Sequence, residues 1–140
     1  MPNPITGGCL CGKIRYVLSQ PPQNVIACHC THCQKISGAG SSHNAVVAKS
    51  AVTFTSGHPK QYRDTAQSGN ILFRYFCADC GSSLYSQREK NPEMLVLKVG
   101  TLDAPGDMKL VMNIWTNSAR PWMYIDPATE RHPENRPVKS

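Results

Sequence analysis

Residues 28–33 read Cys28-His29-Cys30-Thr31-His32-Cys33, three thiols and two imidazoles within six positions. Core packing has no need of so many soft donors so close together, whereas a metal ion does. Zinc takes thiolate sulfur at about 2.3 Å, and a C-x-x-C turn brings two sulfurs onto one ion. Two further clusters stand on either side in the chain, Cys9-Leu10-Cys11-Gly12 and Cys77-Ala78-Asp79-Cys80-Gly81. In both, a glycine follows the second cysteine, where permissive backbone angles let amide N–H groups turn toward sulfur. Cys33 is followed instead by Gln34.

A pair of cysteines cannot close a tetrahedral site alone. Cys9, Cys11, Cys77 and Cys80 therefore combine into one four-thiolate centre, which would staple the N-terminal strand to a hairpin far along the chain and which we read as structural. Cys28, Cys30 and Cys33 are left as three ligands with the fourth position open to water or substrate, the pattern of catalytic zinc. The seven cysteines thus divide as four plus three. Two other partitions stay open at this level. Cys30-x-x-Cys33 with Cys77-x-x-Cys80 would build a zinc ribbon and leave Cys9, Cys11 and Cys28 free. His29 or His32 would instead complete the second site and make it structural. A disulfide framework is disfavoured by the odd count and by Met1-Pro2-Asn3-Pro4, which opens neither a basic nor an apolar leader; the expected compartment is the cytoplasm.

Outward from the cysteines, 140 residues suit one domain, and 40% hydrophobic residues suffice for a single core. Ten Gly and eleven Pro beside only 17% charged residues favour short strands and turns over long helices. Strands are expected over residues 13–18, 24–27, 44–48, 52–55, 61–63, 71–76, 83–86, 94–99 and 110–116, at intervals of roughly 8–12 residues, the spacing of an all-β sandwich or open barrel. Residues 29–42, rich in Ser and Gly, read as a loop with one helical turn. The domain is expected to span residues 1–126, with 127–140, proline-broken and charged, as an extended tail. No apolar run approaches the roughly 18 residues of a membrane span.

A net charge of +6 and a pI near 9.0 raise the question of a nucleic-acid partner. The charge is lopsided, however. Residues 1–63 carry six Lys and Arg and no carboxylate, while the remainder carries nine of each sign. Five of the seven cysteines lie in that basic half, and seven thiolates on two zinc dications would halve the excess. We read the surplus as local compensation for anionic metal sites. With no long basic run and no aromatic platform, nucleic acid is not an expected partner.

Gly8-Cys9-x-Cys11-Gly12, Cys28-His29-Cys30-x-x-Cys33 and Phe76-Cys77-x-x-Cys80-Gly81, in that order, resemble the glutathione-dependent formaldehyde-activating (Gfa) family, which includes centromere protein V. Val99-Gly100-Thr101-Leu102-Asp103, Ile114-Trp115 and Pro121-Trp122 look like its later landmarks, so the resemblance runs from about Ile5 to Asp126. It implies an all-β, β-tent fold of packed antiparallel sheets with two zinc sites: structural zinc on Cys9, Cys11, Cys77 and Cys80, active-site zinc on Cys28, Cys30 and Cys33. It also implies a carbon–sulfur lyase that condenses formaldehyde with glutathione or a related thiol, in the manner of an S-(hydroxymethyl)glutathione synthase. The alternatives are a non-catalytic zinc-binding module and a glutathione carrier. On that reading His29 and His32 are candidates for moving the thiol proton. Lys35, Lys49 and Arg63 are candidates for attracting glutathione's carboxylates, and Trp115 and Trp122 for walling a pocket.

Overall fold

Alternating apolar runs close into two sheets in the computed structural model, which describes residues 4–104 and 106–137. Strands β1 (Ile5–Gly8), β2 (Arg15–Leu18) and β5 (Val52–Ser56) form the smaller sheet in the order β1-β2-β5. The larger contains β3 (Asn24–Cys28), β4 (Ser42–Ala48), β6 (Lys60–Thr65), β7 (Ile71–Phe76), β8 (Ser83–Arg88), β9 (Asn91–Lys98), β10 (Lys109–Ile114) and β11 (Glu130–Arg131). Its order is β11-β10-β3-β4-β9-β8-β7-β6. The protein is all-β with packed antiparallel sheets; the exception is β10, which runs parallel to β3 on one side and to β11 on the other. Among the described residues no helix is long and apolar enough to cross a membrane.

Local features differ from the sequence reading, among them β11, which lies in the expected tail. β1 lies outside every expected strand because it ends in Gly7-Gly8, a pair that ordinarily weakens a strand. Here the lack of a side chain is what the packing needs. A Cβ on Gly7 would fall 2.4 Å from the ring of Tyr16, which is 1% exposed and whose hydroxyl lies 2.7 Å from Thr101 Oγ1. The stretch read as a loop with one turn holds a longer helix, α1 (Thr31–Ser37), because the Cys30 sulfur caps its N-terminus and Gly38 its C-terminus.

The core lies on one face of the larger sheet. Ile14, Tyr16 and Leu18 meet Val47 of β4, Leu84 of β8, and Leu95 and Leu97 of β9, with Cys9 and Cys77 in the same cluster. Side chains alternate along a strand, so Val96 and Lys98 of β9 turn to the other face. Pairing there sets Asn44 beside Lys98, Ser86 beside Val96, and Arg74 beside Ser86. That second, largely polar face is the floor of the site. The segment after Asp126 is held against the body. β11 pairs with β10, and the carbonyls of His132, Pro133 and Glu134 accept the backbone N–H groups of Thr116, Asn117 and Trp115 at 3.1, 3.2 and 3.0 Å.

Because Leu97 is 1% exposed and fills the centre of the core, Leu97→Ala should cost about 2–5 kcal/mol of unfolding free energy in urea titrations of the metal-loaded protein. Val46→Ala, on the polar face and 51% exposed, should change stability by less than about 0.5 kcal/mol.

Candidate functional site

Two cysteine turns face each other at the edge of the core. Cys9 and Cys11 follow β1, while Cys77 and Cys80 lie in the turn between β7 and β8. Gly12 and Gly81, with φ of 82° and 80°, turn the chain after each pair through a left-handed conformation that favours glycine. Cys9 Sγ lies 3.5 Å from Cys11 Sγ, and Cys11 Sγ 3.7 Å from Cys77 Sγ. The sulfurs of all four lie within 4.8 Å of one another. Sulfurs placed tetrahedrally about an ion at 2.3 Å would stand about 3.8 Å apart, so the donor set fits zinc in size and in chemistry. The Ile14 N–H donates to Cys9 Sγ at 3.3 Å, and the Ser82 hydroxyl and amide hold the Cys80 thiol down at about 5. Such support keeps sulfur in the form that binds metal.

The second cluster forms where β3 gives way to α1. Cys28 ends the strand, Cys30 caps the helix by accepting the Cys33 N–H at 3.2 Å, and Cys33 sits in its first turn. All three are buried, their sulfurs lie within 4.8 Å of one another, and Trp115 and Ile114 pack against them. Hydrogen bonds from Cys28 and then Cys30 hold the Cys33 thiol down at about 2, helped by the positive charge of Lys98. The same contacts, with burial, push the Cys28 thiol up. Three sulfurs this close resist ionising together, and full ionisation calls for a cation between them. The sulfurs therefore group as four and three, and Cys30 and Cys33 stand apart from Cys77 and Cys80, in contrast to a ribbon.

Neither neighbouring histidine joins the three thiols. His29 is 0% exposed, and its Nε2 lies 2.8 Å from Asn113 Oδ1. The Gln34 amide donates to the His29 carbonyl at 2.7 Å and to that of Ser118 at 2.9 Å, tying the cysteine turn to the segment after β10. His32 Nδ1 lies 2.8 Å from Asp64 Oδ2, which also accepts from Arg74 Nε at 2.9 Å. Neither imidazole lines the cleft above the cysteines.

That cleft opens to solvent over Cys28, Cys30 and Cys33. Ile114, Trp115 and Asn135 form part of its wall, with Asn44, Lys98, Ser86, Arg74 and Arg88 supplied by the polar sheet face. Trp115 has a left-handed backbone (φ 58°), rare for so large a residue, and its indole N–H donates to Asn135 Oδ1 at 2.8 Å. Lys98 Nζ donates to Asn44 Oδ1 at 2.6 Å; burial pushes its ammonium below the usual lysine value against the pull of Cys33. Lys35, Lys49 and Arg63 are exposed and line no part of this cleft, and Trp122, 70% exposed, lies outside it. The cleft's cations are Arg74, Arg88 and Lys98, none of which the sequence reading selected. Arg74 did carry a signal: a charge inside the apolar run Ile71–Phe76 needs a buried partner, which is Asp64.

Fold and clusters together define an all-β protein with two cysteine sites suited to metal, one of them facing a cleft. The sequence profile of the glutathione-dependent formaldehyde-activating enzymes matches residues 4–118, and the chain belongs to that family. No curated protein matches it. Three chains of solved structures do. One is a structural-genomics crystal structure of a Rhodobacter sphaeroides protein, 23% identical, covering 71% of this chain and 88% of its own, with a TM-score of 0.56; it shows the same fold.

Burial raises the Asp64 carboxyl, but hydrogen bonds from His32 and Arg74 outweigh it and hold the group below its usual value. The unfolded chain then binds more protons in acid, so this stabilisation is complete above the ordinary carboxylate range near pH 4 and is lost as pH falls through the lower folded value. The stability difference between wild type and Asp64→Asn should be largest at neutral pH and shrink below about pH 4. Parallel urea titrations across pH check this, since acid loss of metal is common to both proteins.

Proposed function

We propose that the protein is a zinc-dependent carbon–sulfur lyase that condenses formaldehyde with glutathione or a related thiol over Cys28, Cys30 and Cys33. The observation that carries this reading is a cluster of three thiols, without a fourth protein donor among the described residues, beneath an open cleft. Cys9, Cys11, Cys77 and Cys80 would hold the structural zinc and Cys28, Cys30 and Cys33 the second. Zinc held there would lower the pKa of an incoming thiol toward neutrality. We favour thiol activation over carbonyl activation, because three thiolates leave an ion weakly Lewis-acidic.

The chain's own residues hold the reactants. Trp115 and Ile114 cover the sulfurs and lower the local dielectric, while Asn44 fixes Lys98 and Asp64 fixes Arg74. Binding both reactants in one cleft supplies proximity. A carbon–sulfur bond forms between thiolate and carbonyl carbon, the C=O π pair moves to oxygen, and that oxygen takes a proton from solvent in the open cleft. The proton released by the thiol balances it, and no oxidant or reductant is consumed. We assign His29 to holding the Cys28–Cys30 turn through Asn113, and His32 to holding Asp64. Reduced clusters need a reducing compartment, and we place the protein in the cytoplasm.

Native mass spectrometry should find two zinc ions per chain, with glutathione adding to or displacing the second. Exchange NMR of formaldehyde with glutathione should show catalysis. Cys30→Ser should lose one zinc and about 100-fold or more of the rate. Full activity and zinc in Cys30→Ser would overturn the assignment. A single zinc indifferent to glutathione would favour the non-catalytic module, and glutathione binding without turnover a carrier.

A further inference from the structure

The two cysteine clusters differ in how readily solvent reaches them. Cys28, Cys30 and Cys33 are 7%, 6% and 6% exposed, packed against Trp115 and Ile114. In the four-thiol centre Cys9 and Cys77 are equally deep, but Cys11 is exposed and Cys80 half-buried. The cause is local. Cys11 stands in a tight turn, closed where the Gly12 N–H donates to the Cys9 carbonyl at 3.1 Å, and Leu10 beside it is 89% exposed. The space around that turn is open: a Cβ built on Gly12 or on Gly81 would meet nothing within 4 Å. Two more sulfurs stand within reach of Cys11 Sγ, Cys9 at 3.5 Å and Cys77 at 3.7 Å.

A sulfur that binds a metal ion is a thiolate whatever its burial, and the thiolate is the form that oxidants attack. Access then decides between the clusters. We propose that Cys11 is an oxidative modification site, where peroxide attacks first and the four-thiol centre gives up its ion while Cys28, Cys30 and Cys33 stay reduced. The Cys11 sulfur attacks one peroxide oxygen, the O–O bond breaks, and hydroxide leaves. Cys9 or Cys77 then displaces the oxygen from that sulfenic acid as a second hydroxide, and a disulfide forms. Two sulfurs each lose one electron, peroxide gains both, and two protons from solvent turn the hydroxides into water. The sulfurs close from 3.5 or 3.7 Å to about 2.05 Å, which the open turn allows. A dithiol reverses the change, leaving as its own disulfide. Because Cys9 and Cys77 also pack in the core, the join between β1 and the β7–β8 turn loosens before the cleft is altered. The inference rests on the zinc reading of Cys9, Cys11, Cys77 and Cys80 and on no part of the lyase reaction.

Graded hydrogen peroxide added to the zinc-loaded protein tests it, with a chromophoric chelator reading the zinc released. Cysteines still reduced are alkylated after unfolding and assigned by peptide mass spectrometry. One zinc per chain should leave first, with Cys11 in a disulfide to Cys9 or Cys77 and with Cys28, Cys30 and Cys33 alkylated. A dithiol with added zinc should restore the original zinc count. Cys30→Ser, left with the four-thiol centre, should release its zinc at the rate of that first phase. Cys11→His keeps a donor that zinc accepts and removes the exposed sulfur, so release should slow about 10-fold or more. If that variant holds no metal, the mapping of the wild-type protein decides. First oxidation at Cys28, Cys30 or Cys33, simultaneous loss of both ions, or zinc release with Cys11 still reduced would overturn the inference and leave the zinc reading intact. An unoxidised protein without zinc on the four-thiol centre would overturn both.

Discussion

Thiols crowded to 3.5–3.7 Å share protons until a cation comes between them, and much of this structure follows from that constraint. Cys9 and Cys11 must meet Cys77 and Cys80 across 66 positions of chain between the nearest pair, which fixes the end of β1 against the turn joining β7 and β8. Cys9 and Cys77 are also members of the main apolar cluster, so this centre and the core share side chains. The three-sulfur cluster is placed differently. It lies at a strand-to-helix junction, where Cys30 both takes part in the cluster and caps α1. Local backbone geometry, rather than distant packing, brings its donors together.

The larger sheet separates stability from chemistry by side-chain alternation. Leu95 and Leu97 face the core, while Val96 and Lys98 face the cleft, and a shift by one residue would exchange the two roles. The cleft residues Arg74, Ser86 and Lys98 stand on three adjacent paired strands, β7, β8 and β9. A floor built on strands holds polar groups more rigidly than loops do, as selective recognition demands.

How much was legible depended on the range of the physics. Metal geometry imposes short spacings, so the three cysteine motifs could be read directly, and their four-plus-three grouping followed from the inability of a pair to close a site. Alternation marked most strands. It missed β1, where Gly7 leaves room for Tyr16, and it carried no information about the parallel pairing of β10 with β3, which joins distant segments. The helix was longer than its Ser- and Gly-rich setting suggested because a cysteine sulfur, unusual in that role, caps it. Lys98 ends an apolar strand, where a lysine ordinarily serves solubility; only the strand order reveals that it stands over Cys33 with Asn44. His29 and His32 lie next to the cysteines in sequence, yet a strand end and a helical turn aim them at Asn113 and Asp64.

The strap formed by residues 130–135 bears on synthesis. Trp115 receives its indole partner from Asn135 and its backbone partner from Glu134, so one wall of the cleft waits for residues translated after all seven cysteines. A chain emerging from the ribosome therefore has all seven cysteine sulfurs exposed before the cleft is complete. The order of translation thus leaves the closing of that wall as a late step, after all seven cysteines have been made.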